Sequence, residues 1–263
     1  MSQGIAITED YFKQYRQKLG FRSQTNAKIF LAAKDIKPSV DFKYIEILNN
    51  RLYDLVDKLN DVIVPEIKVN DLASFKSKYI KGVFELLKEN KILSKLNNQG
   101  RRPENVYFNW MRGYVVSVYF LKALSYIFEV DLSSIELIGK DDFNKIETFK
   151  RAATADLKIT LRNKEKVIIE VQAGFTGVND IKQHKIKEAN KILKDSGLNT
   201  IVIHFDLYNG QVAFVRIDKL KELEIHWEKR DQFEGQMVFS IDKKYFIWKI
   251  TESPMKYKEM NFD

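Results

Sequence analysis

The chain has 263 residues, 44% hydrophobic and 30% charged, an ordinary mixture for a soluble protein and long enough to bury a sizeable core. It carries no cysteine, which removes disulfides and thiolate metal sites, and only three histidines, which argues against a His-rich zinc centre. The net charge of +8 and pI near 9.3 suit a polyanionic partner such as nucleic acid, although a Lys-rich composition gives the same surplus without one.

The first ten residues are polar and include acids, unlike a signal peptide, and the longest apolar stretches, such as 113–121, are short and flanked by Arg112 and Lys122. No membrane association and a cytoplasmic location are expected. Residues 45–59 place Ile45, Leu48, Leu52, Leu55, Val56 and Leu59 at three- and four-residue spacing, which predicts an amphipathic helix; Phe75, Tyr79, Val83, Phe84 and Leu87 repeat the pattern over 74–90. Both read as helices packed on a core. The polar stretch 97–103 interrupts the pattern. Its Arg101 and Arg102, beside Gly100 and Pro103, suit either an exposed loop touching DNA or an ordinary solvated turn. From 104 to 128, dense apolar and aromatic residues predict one long buried helix whose aromatic stripe belongs to the core.

The period then changes. A short apolar run at 135–138 precedes a charged stretch, 140–151, that fits a short helix or a loop. Residues 155–161 alternate, with Leu157, Ile159 and Leu161 on one face and Asp156, Lys158 and Thr160 on the other, which predicts a strand. A charged turn at 162–166 leads to 167–171, a nearly continuous apolar strand interrupted by Glu170. A loop at 173–177, whose two glycines suit either a simple strand-to-helix turn or an approach of backbone amides to a phosphate, precedes a helix over 179–194, with Asn179 as N-cap and Gly197 as the stop. Strands are predicted at 200–205, 212–217 and 245–250, the first two joined by a turn at Tyr208-Asn209-Gly210. The order is a helical first half followed by β–β–α–β–β. The expectation is a single α/β (α+β) domain over 1–263, with a mixed central sheet and a hairpin flanked by helices. Residues 1–103 form its helical N-terminal part and 104–263 its α/β core.

One constellation carries chemistry. A carboxylate inside an apolar strand, as at Glu170, is expensive to bury unless a cation or good hydrogen-bond partner meets it. If 162–166 closes a hairpin, Asp156 and Glu170 meet at its open end, and Gln172 projects from the same face as Glu170. Two hard oxygen donors and a neutral amide on adjacent strands suit Mg²⁺. Each acid also has an ordinary structural reading: Asp156 as a strand-end cap, Glu170 as the partner of a buried Lys or Arg. After the hairpin, Lys182, Gln183, His184, Lys185 and Lys187 crowd the start of the next helix, against its macrodipole, which suits either a nearby anion such as DNA or a solvated Lys face.

Thr154-Ala155-Asp156 and Glu170-Val171-Gln172 resemble the motif of the PD-(D/E)XK nuclease superfamily, especially type II restriction endonucleases. There an Asp opens one strand of a hairpin and an acid-x-Lys tripeptide lies in the next. The resemblance covers 135–217 and departs from the pattern at Gln172, which replaces the usual Lys, and in lacking a Pro before Asp156. It implies a site-specific endonuclease that hydrolyses double-stranded DNA and leaves a 5′ phosphate. Mg²⁺ would be held by Asp156, Glu170 and the Val171 carbonyl, with Gln172 placing the attacking water. A third acid would come from Glu136, Asp141 or Asp142. The resemblance further implies a homodimer matching a two-fold site and a cognate methyltransferase in the same system. Two rivals are a non-catalytic DNA- or RNA-binding protein and a nuclease of the same fold acting on branched or damaged DNA.

Overall fold

The computed structural model describes residues 8–32, 36, 39–96, 101–138, 155–221, 225–231 and 235–262. The fold is mixed α/β. Two short helices, α1 (Glu9–Leu19) and α2 (Gln24–Leu31), come first. Helix α3 (Phe42–Val62) starts where the Asp41 side chain accepts from the Tyr44 amide at 3.0 Å, and it buries the predicted stripe Ile45, Leu48, Leu52, Val56 and Leu59. The helix predicted over 74–90 is present as α4 (Leu72–Lys76) and α5 (Gly82–Glu89), joined without a break in direction by one π turn, Ser77–Lys81.

The single helix predicted over 104–128 is two: α6 (Pro103–Tyr119) and α7 (Leu121–Phe128). The break falls at Phe120, whose buried ring stacks on Phe205 of the sheet with centroids 3.9 Å apart. That contact fixes one point of the helical layer on the sheet, and the chain turns there. The predicted element at 140–151, with Asp141 and Asp142, lies outside the described residues.

Among the described residues, six strands form the main sheet in the order β1-β2-β3-β5-β6-β9, where β1 is Ile135–Leu137, β2 Leu157–Thr160, β3 Lys166–Gly174, β5 Asn199–Asp206, β6 Gln211–Arg216 and β9 Phe246–Lys249. All neighbours are antiparallel except β3 and β5, which run parallel and are connected through helix α8 (Gln183–Ser196). A smaller antiparallel sheet has the order β4-β8-β7, with β4 at Asp180–Lys182, β7 at Glu228–Arg230 and β8 at Gln236–Ser240.

Both faces of the main sheet are covered. Leu157, Ile159, Ile169, Ile201, Ile203, Phe205 and Phe214 join one core with the apolar faces of α3 and α5–α7. Val202, Ala213 and Val215 point the other way and pack with Ile186 and Ala189 of α8, Ile181 of the small sheet and Ile241 just after β8. Burial on both sides is why β3 and β5 read as apolar runs rather than alternating strands.

Three local expectations are corrected. Strand β3 runs through Gly174 where a loop was predicted from 173, because β5 continues to offer partners as far as the pair Gly174↔Asp206. The helix after it begins at Gln183, not at 179, because Asp180–Lys182 pair instead with β8. Asn179 is therefore no N-cap; its side chain is held by His204 and Asp206. The C-terminal stop at Gly197 is as expected, with φ +70° in the left-handed region that favours glycine.

Among the described residues, no helix is long and apolar enough to cross a membrane.

A candidate metal and phosphodiester site

The hairpin forms with the predicted geometry. Antiparallel register pairs Leu157 with Ile169, so Asp156, one residue earlier, comes beside Glu170 at the open end. Asp156 Oδ2 accepts a hydrogen bond from the Val171 amide at 2.7 Å, which locks the carboxylate to the edge of β3. In extended backbone the amide and carbonyl of one residue leave on the same edge, so the Val171 carbonyl is directed toward Asp156 as well.

Glu170 and Gln172 alternate with Ile169 and Val171, which pack toward the helical core, so the first pair faces α8. Glu170 is only 7% exposed. What meets its charge is Lys185, in the first turn of α8, whose ammonium is ion-paired with Glu170 Oε1. Burial pulls the Lys185 pKa below the usual lysine range, with the charges of Asp156 and Glu188 partly opposing that pull. The cation thus sits in the field of both hairpin carboxylates. The buried-lysine alternative considered for Glu170 is therefore present.

Lys185 differs from its neighbours on the same turn. His184 and Lys187 are exposed, Lys182 belongs to β4, and Gln183 opens the helix half-buried. Of the residues assigned to a DNA-facing surface, Lys185 is the one that turns into the site. The sequence contained a signal for this: Lys185, Ala189 and Ile192 share one helical face, so a lysine on the apolar side needed a buried anion. Arg102 lies elsewhere, at the N-cap of α6, where its guanidinium donates to buried Glu104 at 3.1 and 3.3 Å; Arg101 beside it is exposed. Glu136, a candidate third acid, sits on the same sheet face but is ion-paired with Lys158 at 2.5 Å. Among the described residues, no group of three Asp, Glu or His side chains is assembled for a metal.

A second polar cluster adjoins the first on the same face, at the carboxyl ends of the parallel strands, where α/β sheets commonly bind ligands. His204 stands opposite Gln172 in the β3–β5 register, and Asp206 is fully buried two residues on. Asp206 accepts from Asn209 Nδ2 (2.7 Å), Gln211 Nε2 (3.0 Å), Asn179 Nδ2 (3.1 Å) and the Asn209 amide (3.2 Å). Burial alone would raise its pKa; the donors from Asn209, Gln211 and Asn179 outweigh it and hold the group below the usual carboxylate value. Because Asn179 donates to Asp206 through Nδ2, its Oδ1 accepts from His204 Nε2 at 2.7 Å, and His204 is neutral with its proton on that nitrogen. His204 Nδ1 is buried with no hydrogen-bond partner among the described residues. A histidine within the apolar run of β5 was the same kind of signal as Glu170 in β3, and sequence reasoning did not use it.

Burial lowers the His204 pKa to about 4, against partial opposition from Asp206 and Asp180. The folded value lies below that of the unfolded chain, so the unfolded state binds more protons between about pH 6.5 and 4, and stability falls as pH falls through that window. The full effect corresponds to about 3 kcal/mol. Denaturant midpoints at pH 7 and pH 4.5 should show the loss, and His204→Gln should flatten it. An unchanged slope in His204→Gln would remove His204 as the cause.

No protein-family model matches the chain, and no curated protein or solved structure is significantly similar to it.

Proposed function

We propose that the chain is a Mg²⁺-dependent endonuclease of the PD-(D/E)XK type that hydrolyses double-stranded DNA at specific sites, as type II restriction enzymes do. The observation that carries this reading is the convergence of Asp156, Glu170 and Lys185 from two strands and a helix onto one sheet face, with Gln172 alongside. A buried carboxylate, a half-buried lysine and a second carboxylate gathered beside an open strand end make a candidate functional site.

The donor set suits Mg²⁺, which binds through one or two carboxylates and keeps several waters. Asp156, the second oxygen of Glu170 and the Val171 carbonyl would hold it, and when bound it supplies charge and Lewis acidity at the scissile phosphate. The Val171 amide fixes the orientation of Asp156. Gln172 brings no positive charge where the motif has Lys; its amide donates to a water or a phosphate oxygen. Lys185 supplies the cation instead, entering from the helix rather than from the strand. Lys182, Gln183, His184, Lys187, Arg101 and Arg102 would contact the DNA backbone, and such phosphate contacts make binding fall with salt.

The test is incubation of the purified protein with long duplex DNA and Mg²⁺. Discrete fragments are expected, a smear would indicate cutting without sequence preference, and intact DNA across metals and salts would overturn the reading. With Ca²⁺, which binds oxygen ligands but supports such hydrolysis poorly, DNA affinity should rise without cutting. Gln172→Ala should cut about a hundredfold more slowly, the scale of removing one positioned donor. Wild-type turnover in that variant would make Gln172 structural.

A further inference from the structure

On the sheet face turned to α8, strands β3 and β5 set Gln172 beside His204 and Gly174 beside Asp206. His204 is 4% exposed, and its Nδ1 is buried with no hydrogen-bond partner among the described residues. A buried acceptor left unpaired costs free energy, and most native structures pair it. The placement of the ring shows which side that nitrogen is on. Its Cε1–Nε2 edge lies against Gly174, where an added Cβ would come 3.7 Å from both atoms. Nε2 donates to Asn179, which in turn meets Asp206 at the carboxyl ends of the strands. The two nitrogens of an imidazole point apart, so Nδ1 occupies the edge of the ring facing back toward Gln172. The neighbour of His204 on the other side, in β6, is Ala213, which has no polar side chain to offer. Gln172 is half-buried, and adjacent strands lie only about 4.8 Å apart, a gap that a glutamine side chain spans.

The sense of such a bond is set from the far end of the cluster. Asp206, a carboxylate, only accepts, so Asn179 turns Nδ2 to it. That leaves Asn179 Oδ1 for His204, which places the ring proton on Nε2 and a lone pair on Nδ1. A lone pair takes only a donor, so Gln172 must meet it with Nε2 and not with its oxygen. We propose that His204 is a positioning residue for Gln172: Nδ1 accepts one hydrogen of the Gln172 amide, and the second N–H is thereby held toward the water or phosphate oxygen beside Glu170. An unanchored glutamine amide can turn over and present its oxygen, which repels a phosphate. His204 itself touches neither DNA nor metal. The proposal rests on the nuclease reading for the task of Gln172, though not for the bond.

His204→Gln and His204→Asn separate the two ring nitrogens. The first keeps an amide within reach of Asn179 and leaves nothing in the place of Nδ1; the second puts an oxygen there and gives up Asn179. At saturating DNA and Mg²⁺, His204→Gln should cut at least about tenfold more slowly with half-saturation unchanged, the scale of losing an orienting partner. His204→Asn should cut faster than His204→Gln although it unfolds at the lower temperature, the reverse of the order a purely structural role gives. In a Gln172→Ala background His204→Gln should add no further loss, because both act through one bond. The bond has a readout of its own: the nitrogen NMR resonance of His204 Nδ1 in the full chain should move on Gln172→Ala while that of Nε2 stays. Rates that follow stability, additive losses, or an Nδ1 resonance indifferent to Gln172→Ala would each overturn the proposal. DNA left intact by the wild type would overturn the nuclease reading and the role of the bond together, and the resonance would still report whether the bond exists.

Discussion

If the proposed metal site is right, Glu170→Gln should cut DNA at least about a thousandfold more slowly than the wild type while remaining folded, because it would remove a metal ligand and a full charge but keep the volume of the side chain in β3. Alanine is the poorer probe here. It would leave Lys185, ion-paired with Glu170 and only about a fifth exposed, as a half-buried cation without its partner. The glutamine introduced by Glu170→Gln would instead offer Lys185 an amide oxygen, limiting the loss of stability to about 1–2 kcal/mol. Asp156→Asn should lose activity to the same degree. Its Oδ1 can still accept from the Val171 amide, so the open end of the hairpin should keep its register. The measurement is single-turnover cleavage alongside thermal unfolding; either folded variant cutting within tenfold of wild type would remove the hairpin as the catalytic centre.

Lys185→Met should slow cleavage about a hundredfold or more, whereas Lys187→Ala, on the exposed side of the same turn, should only weaken DNA binding and reduce its salt slope by about one. The two lysines are two residues apart, so the contrast tests orientation rather than net charge. A pH profile supplies the sign. The pKa of Lys185 is lowered by burial, and the side chain is charged below that pKa. If its charge stabilises the transition state, the rate should fall as pH rises through a value below the ordinary lysine range. Lys185→Arg keeps a charge at all accessible pH and should lose that fall even if its overall rate is lower. A wild-type rate that climbs through the same range would mean that the neutral amine acts, and equal rates in Lys185→Met and wild type would leave Lys185 as a structural partner of Glu170.

What was legible in the sequence followed from periodicity and from polar residues in apolar runs. The stripe from Ile45 to Leu59 and the alternation around Leu157 and Ile159 each admit one buried face, and both elements formed as read. Glu170 stood out because an apolar strand cannot hold a bare carboxylate. Long-range pairing was not legible. Nothing local in Asp180-Ile181-Lys182 says strand; those residues pair because β8, some sixty residues later, lies beside them. The same pairing displaced the predicted N-cap at Asn179 and moved the helix start to Gln183; Lys185 was grouped with its basic neighbours by charge, although its spacing to Ala189 and Ile192 put it on the apolar side. The break at Phe120 likewise depends on a ring contact with Phe205, eighty-five residues away.

Among the described residues, the main sheet ends on β1, three residues long, and β9, four residues long, while its inner strands β3 and β5 have nine and eight. A strand that ends a sheet is a template for another chain, and its reach scales with the number of amides and carbonyls it presents. Tapering toward both borders leaves little for a neighbouring molecule to zip onto. The apolar β3 and β5, the segments of the chain best suited to fibrous stacking, are enclosed between other strands and stay out of reach while the fold is intact. Growth into filaments should therefore require unfolding first, and the temperature at which aggregates appear should track the thermal midpoint instead of preceding it.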